Sequence, residues 1–178
     1  MKEPHKTEED QASFEVRVRD AFPFLEDIGQ MKFVGVRVAG GNDPRDSSLV
    51  ARYVGDHLRL EVGWNEMERS LAVLLRFERE DLGRIERYVY FEPFVEFLTK
   101  GQTKAIVPYV REGMSITQLK VIMDGRTRVF NEGFTQVIKE LGAKMNSFFS
   151  RIKTASSEDI RRYHAWMKSA GRFDSAML

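Results

Sequence analysis

Cysteine is missing from all 178 residues, which removes disulfides, thiolate metal sites and a cysteine nucleophile together. A reducing cytoplasm suits such a chain. Long apolar runs are missing too: no stretch approaches the roughly 20 residues that a membrane-spanning helix needs. The opening MKEPHKTEED is charged and has no apolar signal core. Neither sign of charge dominates, with 28 basic against 27 acidic side chains and a formal charge of +1. A dedicated nucleic-acid module carries a marked basic excess, so any electrostatic partner here must be met by a local patch. The expectation is a cytoplasmic protein with no membrane association, in which residues 1–10 form a flexible leader and 11–178 a single α+β domain.

Motifs that carry chemistry are equally scarce. The sequence holds no HExxH, GxSxG, GxxxxGKS, GxxxxGKT or calcium-binding EF-hand loop. The nearest phosphate-loop lookalike, GVRVAGGNDP from Gly35, places Gly40 and Gly41 after a strand but lacks the following Lys-Ser/Thr. It reads as a strand connection. Of the three histidines, His5 lies in the leader, His57 on a sheet and His164 on a helix stripe, without a spacing that would converge them on a metal. His164 reads as a satisfied, partly buried side chain. Glu78, Glu80 and Asp81 alternate with Arg79 at a strand end and read as a solvated turn rather than a cation site. No catalytic residue, metal or cofactor is expected.

What is present is alternation. Ser48 to Arg79 shows period-two patterning in three segments broken by two turn signals, an antiparallel meander. With Gly55-Asp56 as a two-residue loop and Asn65 to Glu68 as a four-residue loop, Val54 faces His57, Tyr53 faces Leu58, Ala51 faces Leu60 and Leu49 faces Val62. Across the second hairpin Val62 faces Leu71, Leu60 faces Val73 and Leu58 faces Leu75. This register collects Leu49, Ala51, Tyr53, Leu58, Leu60, Val62, Leu71, Val73 and Leu75 on one face, which a one-residue slip would destroy. The reverse face receives Arg52, His57, Arg59, Glu61 and Arg76, with Arg52 beside Arg59 and His57 between Val54 and Arg76. Adjacent arginines repel, so they call for anionic neighbours such as Glu61 and Glu78 or for an anionic partner. Val50, Val54, Ala72 and Leu74 among them suggest a surface that a helix or another protein covers.

Around the meander, Phe14, Val18, Ala21 or Phe22, Leu25 and Ile28 draw a helical stripe that Pro23 breaks or restarts and Gly29 stops. Lys32 to Val38 alternates again, with Val34, Val36 and Val38 on one side and Phe33 and Arg37 on the other, and gives a fourth strand. Ala39 to Ser48 is a turn-rich loop. Arg84 to Lys100 reads as helix, although YVYF also suits a strand, and Pro93 fits a first helical turn holding Phe94, Phe97 and Leu98. Pro108 interrupts an apolar stretch from Thr103 to Glu112. Ser115 with Gln118 opens a short helix that Gly125 closes. A long helix follows through Phe130, Phe134, Val137, Ile138, Leu141, Met145, Phe148 and Phe149. Ser156 with Asp159 opens the last helix, through Ile160, Tyr163, His164 and Met167, and Gly171 ends it. The fold expected is α+β: an antiparallel meander of about four strands, an N-terminal helix and a helical C-terminal half.

The first helix with FPFLEDIG, the meander LVARYVGDHLRLEVGWNEMERSLAVLLRF and the helical C-terminal half together resemble small bacterial α+β proteins of uncharacterised or toxin-immunity type, from Phe14 to Phe149. Immunity proteins of that kind accompany secreted toxins and block them by direct binding. The resemblance therefore implies a non-enzymatic domain whose partner is another protein, a toxin, and it transfers no site residue. From the residues themselves, Arg52, His57, Arg59, Glu61 and Arg76 form the candidate partner-binding set. Two alternatives stay open: nucleic-acid binding through the arginines, and an enzyme assembled from distant residues, entered at His57, Glu61 and Gly40-Gly41.

Overall fold

The computed structural model describes residues 8–40, 48–65, 70–106 and 134–169. The expected short helix after Ser115, Phe130, the end at Gly171, and most of the loops from Ala39 and Asn65 lie outside them, as do His5 and Gly41. The described residues form an α+β fold in which five antiparallel strands follow one another in the order of the chain, flanked by an N-terminal helix and C-terminal helices. The elements are α1 (Glu8–Ala21), α2 (Pro23–Asp27), β1 (Lys32–Ala39), β2 (Ser48–Val54), β3 (Leu58–Asn65), β4 (Ser70–Phe77) and β5 (Tyr88–Tyr90), then α3 (Phe91–Leu98), α4 (Phe134–Lys153) and α5 (Ser157–Ser169).

The meander has the expected faces and a different register. All nine residues assigned to its inward face are buried. The pairing, however, runs Val54 with Arg59, Tyr53 with Leu60, Ala51 with Val62 and Leu49 with Trp64, then Val62 with Val73, Leu60 with Leu75 and Leu58 with Phe77. Gly55 N–H donates to the Leu58 carbonyl at 2.9 Å, so the two-residue loop is Asp56-His57 rather than Gly55-Asp56. Moving a loop by one residue displaces every cross-strand partner by two. Because side chains alternate with period two, each one keeps its face. The second hairpin closes one residue later than expected in the same way, at Asn65 opposite Ser70.

Two other expectations are corrected. In β1 the pairing is interrupted between Phe33 and Gly35. This bulge turns Phe33 inward with Val36, where it meets Tyr53 at 5.1 Å between ring centroids, and leaves Val34 57% exposed. Simple alternation cannot foresee an inserted residue. Arg84 to Lys100 is not one helix: Tyr88–Tyr90 is the fifth strand, with Val89 opposite Leu75, and α3 starts at once after it with Pro93 in its first turn.

The helices close the core from the inward side of the sheet. Pro23 opens α2 after α1 ends, which re-phases the stripe. Phe24 and Leu25 are therefore buried, whereas Ile28, expected on the stripe, caps α2 and is 74% exposed. Along α4, Val137, Ile138, Leu141, Met145 and Phe149 are buried as expected, with Ile152 extending the row. Gly142 belongs to that row because a Cβ there would overlap the Ala21 carbonyl; α1 and α4 cross with only a glycine between them. Aromatic pairs join the layers, Phe24 with Phe149 at 5.5 Å and Phe94 with Tyr163 at 5.2 Å, in the tilted or edge-on geometries that ring quadrupoles favour. Tyr53 is wholly buried and its hydroxyl meets no hydrogen-bond partner among the described residues; burial pushes its pKa up because a phenolate there would be desolvated.

Candidate functional site

Two complete rows of outward side chains cross the sheet. One runs Gly35, Arg52, Glu61, Leu74 and Tyr90; the next runs Lys32, Val54, Arg59, Arg76 and Tyr88. A third begins Arg37, Val50, Gly63 and Ala72. The face is accessible: Ala72 is exposed, and the Arg37 and Arg59 side chains keep 49% and 42% of their surface. Val50 alone among its apolar residues is buried, at 8%. Cations, aliphatic groups and tyrosines thus alternate on one rigid surface.

Four of the five expected site residues converge here. Arg52 donates from Nε to Glu61 Oε1 at 2.9 Å and its Nη2 lies 2.8 Å from the same oxygen. Arg37 approaches the other Glu61 oxygen at 3.7 Å. Arg59 stands directly opposite Arg76 rather than beside Arg52. Two like charges in facing positions repel, and Glu78 resolves the conflict by placing one carboxylate oxygen 2.7 Å from Arg59 Nε and 3.1 Å from Arg76 Nε. These contacts are ion pairs without hydrogen-bond alignment, since both Nε groups and the shared oxygen lack a well-directed partner. The Arg76 guanidinium also lies 5.4 Å over the Tyr88 ring, a cation–π contact that fixes its plane.

His57 is elsewhere. The shifted register puts it at the exposed tip of the β2–β3 hairpin, where its carbonyl accepts the Glu78 N–H at 2.9 Å, and not between Val54 and Arg76. It looks instead into a cavity of about 650 Å³ at that end of the sheet. His164 is the satisfied histidine its helix stripe suggested, with Nε2 3.0 Å from the Glu86 carbonyl. The acidic run divides: Glu78 serves the arginines, Asp81 holds Ser157 and Arg161, and Glu80 is exposed.

Two participants of this face, Arg37 and Tyr88, and one structural ion pair escape the sequence. Alternation puts Arg37 on one side with Phe33, and the β1 bulge, silent in the pattern, sends Phe33 to the opposite face. The helical reading of Arg84 to Lys100 misses Tyr88, although YVYF carries its strand signal. The pair Glu92–Lys144, at 2.7 Å with side chains 8% and 10% exposed, had no signal, since 52 residues separate its members. It is structural: Glu92 also accepts from Ile106 N–H, and Lys144 donates to the Lys104 carbonyl.

Among the described residues, no group of three or more histidines, cysteines, aspartates or glutamates could hold a metal ion, and no helix is long and apolar enough to cross a membrane. Compared with protein-family models, with curated proteins and with solved structures, the chain matches none.

Proposed function

We propose that this chain is a non-enzymatic protein-binding domain whose partner docks on the outward face of the sheet. The observation that carries this reading is the sharing of Glu61 and Glu78 among four arginines. Each arginine is held on a strand, beside Val50, Val54, Leu74 or Tyr88, with its torsions already constrained. Protein interfaces concentrate binding energy in arginine and tyrosine anchors surrounded by apolar contacts. A side chain fixed before binding loses less entropy on binding.

Nucleic acid is the weaker reading for the same reason. A phosphate backbone rewards cations that can exchange their counterions for phosphate, whereas here two internal carboxylates already occupy the arginines. The resemblance to toxin-immunity proteins supports a toxin as the specific partner, met by direct contact in place of chemistry.

Affinity capture from the native host tests the reading, with the wild-type chain run beside Leu74→Glu, a change at a half-buried position in the middle of the face. The expected result is one protein recovered in stoichiometric amount by the wild type and lost from the folded variant. Equal recovery by both, or recovery of nucleic acid that added salt removes, would contradict it.

A further inference from the structure

At the end of the sheet where His57 lies, the cavity of about 650 Å³ has the size of a small-molecule site. Its floor is apolar, made by Met31, Leu58, Phe77 and Phe149. Glycines let its walls close in. A Cβ on Gly29 would stand 3.1 Å from the Phe149 ring and 2.6 Å from the Leu25 carbonyl, and one on Gly55 would stand 3.3 Å from Met31. Gln30, next on the rim, holds the left-handed conformation at φ 53°, which side chains other than glycine adopt at a cost of order 1 kcal/mol.

The charges on the rim are unequally committed. Arg79 donates to the Ala155 carbonyl, and Lys153 lies 3.5 Å from the Gly29 carbonyl. Asp81 accepts from Ser157 at 2.9 Å and pairs with Arg161. The carboxylates of Asp56 and Glu80, by contrast, have no partner among the described residues, and both are exposed on the cavity wall. The rim thus carries three carboxylates, Asp56, Glu80 and Asp81, against two cations, Arg79 and Lys153, and its two unpartnered carboxylates stand over an aromatic and aliphatic floor. We infer that this cavity binds an organic cation, an ammonium group on a compact apolar or aromatic body. The body would rest on the cavity-lining edges of Met31, Leu58, Phe77 and Phe149, and Asp56 and Glu80 would receive the charge. This site is separate from the outward sheet face and does not depend on what binds there.

Three probes of one shape and different charge test it: 2-phenylethylamine, 2-phenylethanol and phenylacetate, titrated into the full chain and followed by amide chemical shifts. The amine is expected to shift residues 29–31, 55–58 and 79–81 saturably, about tenfold more tightly than the alcohol, with no saturable response to the carboxylate. Asp56→Asn combined with Glu80→Gln should bring the amine down to the level of the alcohol. No saturable shift with the amine, equal binding of amine and alcohol, tighter binding of phenylacetate, or shifts confined to other residues would each overturn the inference. The comparison of probes on the unaltered chain stands even if the double variant does not fold.

Discussion

At the scale of single residues, the most consequential side chains are charged groups with few choices of partner. Glu92 and Lys144 are buried against one another and against two backbone groups of the segment leading to Ile106. Breaking a buried pair costs more than the pair contributes, because the surviving charge keeps its desolvation penalty. Lys144→Met should therefore destabilise the fold by about 3 kcal/mol. Glu92→Gln keeps an acceptor for both Ile106 and Lys144 and should cost clearly less. Urea midpoints of the two variants check the order; equal losses would mean that packing of the Lys144 stem, rather than charge, dominates. The arginines of the sheet face obey the same logic in a wetter setting. There each exposed pair is worth only about 0–1 kcal/mol, so they add little to stability.

At the scale of elements, helix starts and strand faces follow from local chemistry. Ser156 and Asp159 form the reciprocal cap their spacing implied: Ser156 N–H donates to Asp159 Oδ2 at 3.0 Å, and Asp159 N–H donates to Ser156 Oγ at 3.1 Å. Hydrogen bonds from the Ser156 hydroxyl and amide hold the Asp159 carboxyl below its ordinary value. A carboxylate with a lowered folded pKa contributes stability in full above its unfolded value, about 3.9, and loses it as pH falls through the folded value. Ser156→Ala should thus cost about 1 kcal/mol near neutral pH, and the difference from wild type should shrink in acid. Denaturant midpoints at the two pH values measure this. A gap that stays constant would assign the loss to the hydroxyl alone.

Legibility at this scale was uneven for a physical reason. The inward face of the meander was readable because alternation specifies parity, and parity survives a loop displaced by one residue. The absolute register was not, since local turn preference points to Gly55-Asp56 whereas the loop closes at Asp56-His57, and the period-two pattern is the same for both. That displacement moved His57 from the arginine row to the hairpin tip, and the matching one in the second hairpin brought Arg59 opposite Arg76. The β1 bulge and the strand at Tyr88–Tyr90 were hidden because a bulge adds a residue without changing composition, and because YVYF suits helix and strand alike.

At the scale of the whole molecule, the sheet divides the labour. Its inward face, α1 to α5 and their aromatic contacts make one core. Its outward face carries arginines, tyrosines and aliphatic side chains in ordered rows, and the cavity at one end adds acidic groups over an apolar floor. Under the proposed reading, Glu61 and Glu78 act as internal braces that set the arginines for a protein partner. The most direct measurement is the affinity of the captured partner for the chain carrying Glu61→Gln and Glu78→Gln, with the fold verified by circular dichroism. If the braces orient the arginines, affinity falls by about tenfold, roughly 1.4 kcal/mol, even though the face becomes more positive. If instead the arginines act through charge alone, freeing them strengthens binding, and that rise would contradict the account.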